Sequence, residues 1–145
     1  MATVNPYLLF NGNCEEAFQF YKSVFGGEFP YIGKFKDAPL EEGEAALSEE
    51  DANRIMHVSL PIGNTILMGS DSHPRYGDVV FGSNFQISIN VESTEEADRI
   101  FNSLSAGGKP YMPMSKTFWG AYFGMFQDKF EISWMVNFDE NMTEK

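Results

Sequence analysis

Two amphipathic segments of helical period stand 80 positions apart in the chain. In each segment the apolar residues recur at spacings of three and four, which places them on one stripe of a helix. The stripes are formed by Cys14, Ala17, Phe18, Tyr21, Val24 and Phe25 in the first copy and by Ala97, Ile100, Phe101 and Leu104 in the second. The pattern predicts two equivalent helices that each bury one face.

The ends of both helices carry matching signals. Asn13 and Ser93 stand at the expected N-caps, and Glu16 and Glu96 follow three residues later, which is the spacing of a capping box. Glycine pairs, which supply left-handed residues that end a helix, follow at Gly26-Gly27 and Gly107-Gly108. Together with the Glu-Glu-Ala motif at 15–17 and 95–97, these signals indicate an internal duplication.

Strand-like runs surround each helix. One run precedes each helix, at Tyr7–Phe10 and at 85–91, where Phe85, Ile87, Ile89 and Val91 alternate on one face. Three more runs follow each helix, at 28–36, 54–61 and 65–70 in the first half and at 109–112, 118–127 and 131–137 in the second. The prediction is an α+β fold of two tandem β-α-β-β-β modules, at about 4–71 and 84–138, within a single domain spanning 1–145.

Two stretches read as loops. Residues 37–53 contain seven acidic residues and no Lys or Arg, which predicts a solvated insertion with a short helix around 48–53. Residues 71–83 contain Pro74 and two glycines and are expected to connect the two modules.

The charge of the chain narrows the range of partners. A formal net charge of −11 repels phosphate backbones and anionic lipids, so neither a nucleic acid nor a membrane is an expected partner. The N-terminus has no basic, apolar leader and no apolar run reaches membrane-spanning length, so we expect a cytoplasmic protein. The single cysteine, Cys14, allows no intrachain disulfide and is predicted to be buried and inert.

Several motifs resemble the vicinal-oxygen-chelate superfamily, which includes glyoxalase I, bleomycin-resistance proteins and extradiol dioxygenases, and in particular its PhnB-like branch. The motifs are Phe10-Asn11-Gly12-Asn13, Phe25-Gly26-Gly27, Ile55-Met56-His57-Val58, Ile66 to Asp71, Trp119-Gly120, Asp128-Lys129-Phe130 and Trp134 to Asn137. The resemblance implies a glyoxalase/bleomycin-resistance-like fold in which curved mixed sheets form cups, and it implies a homodimer.

Members of the superfamily typically hold a metal ion with residues from the first and last strands of both modules. The resemblance places those ligands at Pro6, Met68, Gln86 and Met135. Proline offers no donor, and thioether sulfur suits copper(I) rather than hard divalent ions, so only Gln86 supplies an oxygen. We therefore predict no metal and no other cofactor. Glu131 lies nearby, where the resemblance implies glycine.

Two histidines are candidates for chemistry. His57 begins an alternating strand, where it could line the cavity as an acid or base, or be a partly buried, hydrogen-bonded residue. Asp71 and His73 lie in Ser70-Asp71-Ser72-His73-Pro74, which could bind a metal, form an acid/base pair or be turn chemistry.

An aromatic-rich hairpin lies in the second half. Trp119 and Trp134, together with Tyr122, Phe123 and Phe126, could wall an apolar ligand pocket, or they could be core or dimer interface. The ligand-binding candidates are therefore Met68, Gln86, Trp119, Trp134, His57 and Asp71, and the catalytic candidates are His57 and Glu131.

Two functions follow from these patterns. The first is a small-molecule-binding protein of the glyoxalase/bleomycin-resistance type that lacks the superfamily metal and favours neutral or cationic ligands. The second is a metal-dependent or metal-free lyase, isomerase or dioxygenase acting on a small oxygenated substrate. Relatives in the PhnB-like branch often carry the label of a demethylubiquinone methyltransferase. The sequence has no glycine-rich strand-to-helix loop for a nucleotide-like cofactor that would support it.

Overall fold

The computed structural model describes residues 1–40 and 43–140, so Glu41 and Glu42 of the predicted acidic insertion lie outside the described residues. The chain divides into two compact units, Met1–Val80 and Phe81–Lys145. The first unit contains β1 (Tyr7–Phe10), α1 (Cys14–Phe25), β2 (Tyr31–Lys34), α2 (Glu49–Ala52), β3 (Ile55–Ile62) and β4 (Thr65–Asp71). The second contains β5 (Ile87–Asn90), α3 (Thr94–Ser105), β6 (Lys109–Lys116), β7 (Tyr122–Gln127) and β8 (Ser133–Phe138). The predicted order of elements in each half is confirmed, including the short helix α2.

The two units share one sheet topology. The strand orders are β1-β4-β3-β2 and β5-β8-β7-β6, and in each sheet the first strand pairs in parallel with the last. The remaining neighbours are antiparallel. Each unit is thus a four-stranded mixed sheet with a helix, which confirms the α+β fold class.

Each helix covers one face of its own sheet. Helix α1 packs on β3 and β4, and α3 packs on β6, β7 and β8. The predicted apolar stripes are buried except for Phe25, which is half-buried. The contact is close enough at Gly69 that an added Cβ would come within 2.6 Å of the Phe18 ring. The opposite face of each sheet, which we call the open face, carries the alternate residues of every strand.

The strands of the second sheet differ from the sequence prediction. Strand β6 extends to Lys116, and β7 begins only at Tyr122. A turn separates them, because the Thr117 N–H donates to the Ala121 carbonyl at 2.7 Å and the Ala121 N–H donates to Thr117 Oγ1 at 3.0 Å. Gly120 lies inside this turn with φ of 92°, a conformation that favours glycine and interrupts the strand.

Only one of the two predicted N-caps forms. Ser93 Oγ accepts the Glu96 N–H at 3.0 Å. The Glu96 carboxylate accepts the N–H of Glu92, the residue before the cap, at 2.9 Å, instead of the Ser93 N–H that a capping box requires. The prediction was wrong for Asn13, whose side chain makes no capping hydrogen bond. Asp71 serves the start of α1 instead, as described below. Within the described residues, no helix is long and apolar enough to span a bilayer.

Candidate functional site

The open face of the first sheet carries a cluster around His57. The Tyr7 hydroxyl lies 3.2 Å from His57 Nδ1, and the ring centroids of Tyr7 and Tyr31 lie 5.6 and 5.8 Å from that of His57. Met68 is the register partner of Tyr7 on the neighbouring strand. The structure therefore brings together two of the predicted site residues, His57 and Met68, on one half-exposed face.

A cavity of about 340 Å³ lies in the first unit, where β1 and β4 end. Leu9 from β1 and Ser70 from β4 are register partners, and both contribute to its wall. The rest of its apolar wall comes from Phe35, Met56, Tyr76 and Val79. A concave apolar wall of this size is typical of small-molecule sites.

A few polar groups interrupt the apolar wall. Ser70, His73 and Asp78 line the cavity, and no other residue in ranges 1–40 and 43–140 hydrogen-bonds the Ser70 hydroxyl. Such isolated polar groups in an apolar wall can fix the orientation of a ligand.

The segment 72–79, which covers the cavity, is held in place by its own hydrogen bonds. The Ser72 N–H donates to the Phe10 carbonyl at 2.7 Å, and the Ser72 hydroxyl donates to the Gly77 carbonyl. At the far end the Asn11 side chain bonds both backbone groups of Val79, at 2.8 and 3.1 Å. The cavity wall is therefore anchored at both ends of the segment.

Asp71 is 2% exposed and its carboxylate is engaged with the backbone. One oxygen accepts the N–H groups of Gly12 and Cys14, at 2.8 and 3.0 Å, and the other accepts the Ile55 N–H at 2.8 Å. This carboxylate joins the start of α1 to the start of β3. Although Asp71 borders the cavity, these three bonds indicate a structural role rather than ligand contact.

His73 does not pair with Asp71. Its Nδ1 accepts the Arg75 N–H at 3.0 Å, which closes the short 3₁₀ turn at Pro74–Tyr76. In this segment, the His73 side chain therefore stabilises a turn.

Cys14 is fully buried beside Asp71, as predicted. Burial raises the pKa of its thiol, and the charges of Asp71 and Glu15 raise it further. Because the thiolate is the reactive form, we expect Cys14 in native protein at pH 8 to react with iodoacetamide far more slowly than in 6 M guanidinium chloride. Mass spectrometry of the alkylated protein checks this expectation, and equal rates in both states would contradict it.

The raised pKa of Cys14 also predicts that the free energy of unfolding falls as pH rises above about 8.5. In that range the thiol of the unfolded chain loses its proton, whereas the thiol of the native chain keeps it.

The remaining predicted site residues lie in the second unit. Trp134 is 1% exposed on the helix side of its sheet, and its indole N–H donates to Asp128 at 2.8 Å. Glu131 is exposed in the turn between β7 and β8, with φ of 69°. Trp119 is 57% exposed and contacts Phe118 edge to face. Trp134 is therefore core, which was the alternative considered for it.

The strand registers correct the internal alignment on which the metal positions rest. Leu8 pairs with Gly69 on the helix side of the first sheet, and Ile87 pairs with Trp134 on the helix side of the second. Leu8 lies buried on the helix side, whereas Ser88, 80 positions later, lies exposed on the open face. The offset of 80 that relates the helices therefore does not hold in these strands, so Pro6 and Gln86 are not related by it.

The positions at which the resemblance places the ligands do not fit the divalent ion of the superfamily. Pro6 has no donor side chain, and Met68 and Met135 are thioethers. Gln86 is an amide whose buried Oε1 has no hydrogen-bond partner within the described part of the chain. Nowhere in ranges 1–40 and 43–140 do three or more His, Cys, Asp or Glu side chains stand close enough to hold a metal ion. Neutral donors of this kind bind hard divalent ions weakly.

Comparison with solved structures identifies the class. A glyoxalase/bleomycin resistance protein/dioxygenase family enzyme from Burkholderia phytofirmans superposes with a TM-score of 0.58 at 14% identity, covering 93% of this chain and 98% of that one. Together with the two mixed sheets, this shows the glyoxalase/bleomycin-resistance-like fold.

Within that class the chain belongs to the family described as 3-demethylubiquinone-9 3-methyltransferase, whose family model matches residues 2–137 and which is the PhnB-like branch expected from the sequence. Protein PA1353 from Pseudomonas aeruginosa is 42% identical, with a TM-score of 0.84 over 96% of this chain and 98% of that one. Protein YjdN from Escherichia coli is 32% identical over 92% of this chain and 93% of its own length.

Sequence reasoning missed most of the cavity wall. The sequence predicts no ligand contact for Leu9, Met56 or Phe35, and Ser70 enters only as the first residue of the motif that contains Asp71 and His73. The available signal was alternation in β1, where Leu9 lies on the opposite face from the buried Leu8 and Phe10. Sequence pattern gave no indication that segment 72–79 folds over Leu9 and Ser70.

Proposed function

We propose that the protein binds a small, partly apolar, neutral or cationic molecule in the cavity of the first unit, without the superfamily metal. The observation that supports this most is the cavity itself, about 340 Å³ with an apolar wall and isolated polar groups. That volume falls in the range of about 300–1,000 Å³ that is usual for small-molecule sites. The resemblance to its superfamily adds a homodimer to the proposal, and the cytoplasmic location expected from the sequence completes it.

The polar groups of the wall define the ligand's chemistry. The Ser70 hydroxyl can donate or accept a hydrogen bond. The Nδ1 of His73 accepts the Arg75 N–H, and its Nε2 remains for a ligand. The carboxylate of Asp71 already accepts three backbone N–H groups, and Asp78 contributes a negative charge. With a net charge of −11 for the chain, an anionic ligand meets repulsion and a neutral one does not.

The alternative is an enzyme of lyase, isomerase or dioxygenase type, with His57 as the candidate base. His57 lies beside the Tyr7 hydroxyl on the open face, which is an arrangement that could move a proton without a metal. Metal analysis of protein purified without chelator separates the metal-dependent form of this alternative from the binding function. Stoichiometric zinc, nickel, manganese or iron would support the metal-dependent enzyme, and trace amounts support the proposal.

Two dyes of one aromatic skeleton test the binding proposal directly. N-phenyl-1-naphthylamine is neutral, and 8-anilinonaphthalene-1-sulfonate adds one negative charge. We expect the neutral dye to bind at least about tenfold more tightly, because the anion meets the negative surface. Leu9→Trp should weaken binding of the neutral dye by about tenfold or more, since the larger ring fills the cavity from its half-exposed edge. Fluorescence titration gives both affinities.

Ile66→Trp is the matched control for this test. Ile66 is 41% exposed on the same open face and does not line the cavity. The control should leave the affinity for the neutral dye within about twofold of the unsubstituted protein. Equal weakening by both substitutions would show that the dye adsorbs to the exposed face, and it would contradict a site in the cavity.

A further inference from the structure

His73 stands between two cavities of the first unit. The cavity described above shares Phe35, His73 and Tyr76 with a second cavity of about 290 Å³. The second cavity is completed by the apolar residues 38–40 and Leu47 and by Glu44 and Arg75. The His73 ring therefore forms part of a wall that two separate volumes have in common.

Three contacts fix the orientation of this ring. Its Nδ1 accepts the Arg75 N–H at 3.0 Å, and the rings of Phe35 and Tyr76 meet it edge to face at centroid distances of 5.1 and 6.4 Å. A nitrogen that accepts a hydrogen bond carries no proton, so the bonded ring is the neutral tautomer with its hydrogen on Nε2. In the part of the chain that the structure describes, Nε2–H has no hydrogen-bond partner.

The charged groups around the ring are largely engaged elsewhere. Arg75 and Glu44 form an ion pair at 2.7 Å, and the Asp71 carboxylate accepts three backbone N–H groups. Asp78 lies on the wall of the first cavity, and the Tyr76 hydroxyl belongs to a largely exposed side chain. Besides the Ser70 hydroxyl, the Nε2–H of His73 is therefore a donor of this wall that no other described residue accepts.

We propose that His73 is a specificity-determining residue of the site, where its Nε2–H donates to an oxygen acceptor on a neutral ligand with an apolar body. The ligand class is a neutral molecule that carries a carbonyl or a similar oxygen. This inference rests on the proposed function, because it requires a ligand in the cavity, and it adds which functional group that ligand must present.

A matched pair of dyes isolates the acceptor. Prodan, 6-propionyl-2-(dimethylamino)naphthalene, is neutral and carries one ketone, and its 6-propyl analogue replaces the carbonyl by a methylene. The unsubstituted protein should bind Prodan about tenfold more tightly than the analogue, which is the usual size of one directed hydrogen bond. The bound Prodan emission should also shift to the red of its value in a hydrogen-bond-free solvent of equal polarity.

Two substitutions of His73 separate the effect of its Nε2–H donor from the hydrogen bond that its Nδ1 makes in the turn. In His73→Asn, the side-chain oxygen takes the place of Nδ1 and can still accept the Arg75 N–H. The substitution removes the Nε2–H donor. His73→Gln carries an amide N–H that reaches the place of Nε2. We expect His73→Asn to weaken Prodan binding about tenfold and analogue binding less than twofold, and His73→Gln to recover most of the Prodan affinity. Thermal denaturation confirms that both variants fold.

The outcomes distinguish this inference from the proposed function. If His73→Asn binds Prodan within twofold of the unsubstituted protein while Leu9→Trp weakens it, the cavity binds the dye and the role of His73 is refuted. If the two dyes lose affinity equally in His73→Asn, the residue only shapes the wall, and the inference is likewise refuted. If neither dye binds in a way that Leu9→Trp weakens, the proposed function fails, and this inference fails with it.

Discussion

Asp71→Asn should lower the free energy of unfolding by about 2–4 kcal/mol. The carboxylate is buried, and its two oxygens accept three backbone N–H groups, from Gly12, Cys14 and Ile55. An amide has the same shape but replaces one acceptor by a donor, so at least one buried N–H loses its partner and faces another N–H. Since these bonds join α1 to β3, the loss affects the packing of the whole first unit.

Urea denaturation followed by circular dichroism measures this effect. Asp78→Asn is the control, because Asp78 is exposed and should change the free energy of unfolding by less than about 0.5 kcal/mol. Hydrogen exchange should show faster exchange in residues 1–80 of the Asp71 variant. An Asp71→Asn protein as stable as the unsubstituted one would mean that the three hydrogen bonds contribute little.

Asp128→Asn should have an effect of similar size, about 2–4 kcal/mol, in the second unit. Asp128 is 2% exposed, and one of its oxygens accepts the N–H groups of Phe130 and Ile132, at 2.8 and 3.0 Å. The other accepts the indole N–H of Trp134 at 2.8 Å. The carboxylate therefore holds the turn between β7 and β8 against the largest fully buried side chain.

A double-mutant cycle identifies the part of this effect that belongs to Trp134. Trp134→Phe keeps an aromatic ring in the core and removes the indole donor. The two substitutions together should cost less than the sum of their separate effects, because both remove the same hydrogen bond. Strict additivity in urea denaturation would show that the Asp128–Trp134 bond adds nothing to stability.

These two aspartates show how an acidic residue in a suggestive motif can stabilise the fold. Asp71 ends strand β4 and Asp128 opens the turn after β7, and each carboxylate accepts hydrogen bonds from three donors of its own unit. A carboxylate held in this way stabilises the frame of a site. It is poorly suited to bind a ligand.

The helices and the order of elements could be predicted from the sequence because their signals are local. The apolar stripes of α1 and α3, the Ser93 cap and the terminating glycines each act within a few residues. Strand boundaries near 117–121 could not be predicted, because the turn depends on hydrogen bonds between Thr117 and Ala121. The failure of the 80-residue offset within the strands likewise became visible only from strand pairing and burial.

The candidate site could be predicted only in part. His57 and Met68 share the open face because alternation along a strand fixes which side a residue occupies. The cavity depends on a longer-range event, in which Asn11 binds Val79 across 68 residues and segment 72–79 folds over Leu9 and Ser70. No periodicity in the sequence encodes that contact.

A crystal structure of the protein soaked with N-phenyl-1-naphthylamine tests the central claim most directly. We expect density for the dye among Leu9, Met56 and Ser70, and no anomalous signal from a transition metal near Tyr7, Met68 or Gln86. Density for the dye only outside this cavity, or a transition metal held by side chains in its place, would contradict the account.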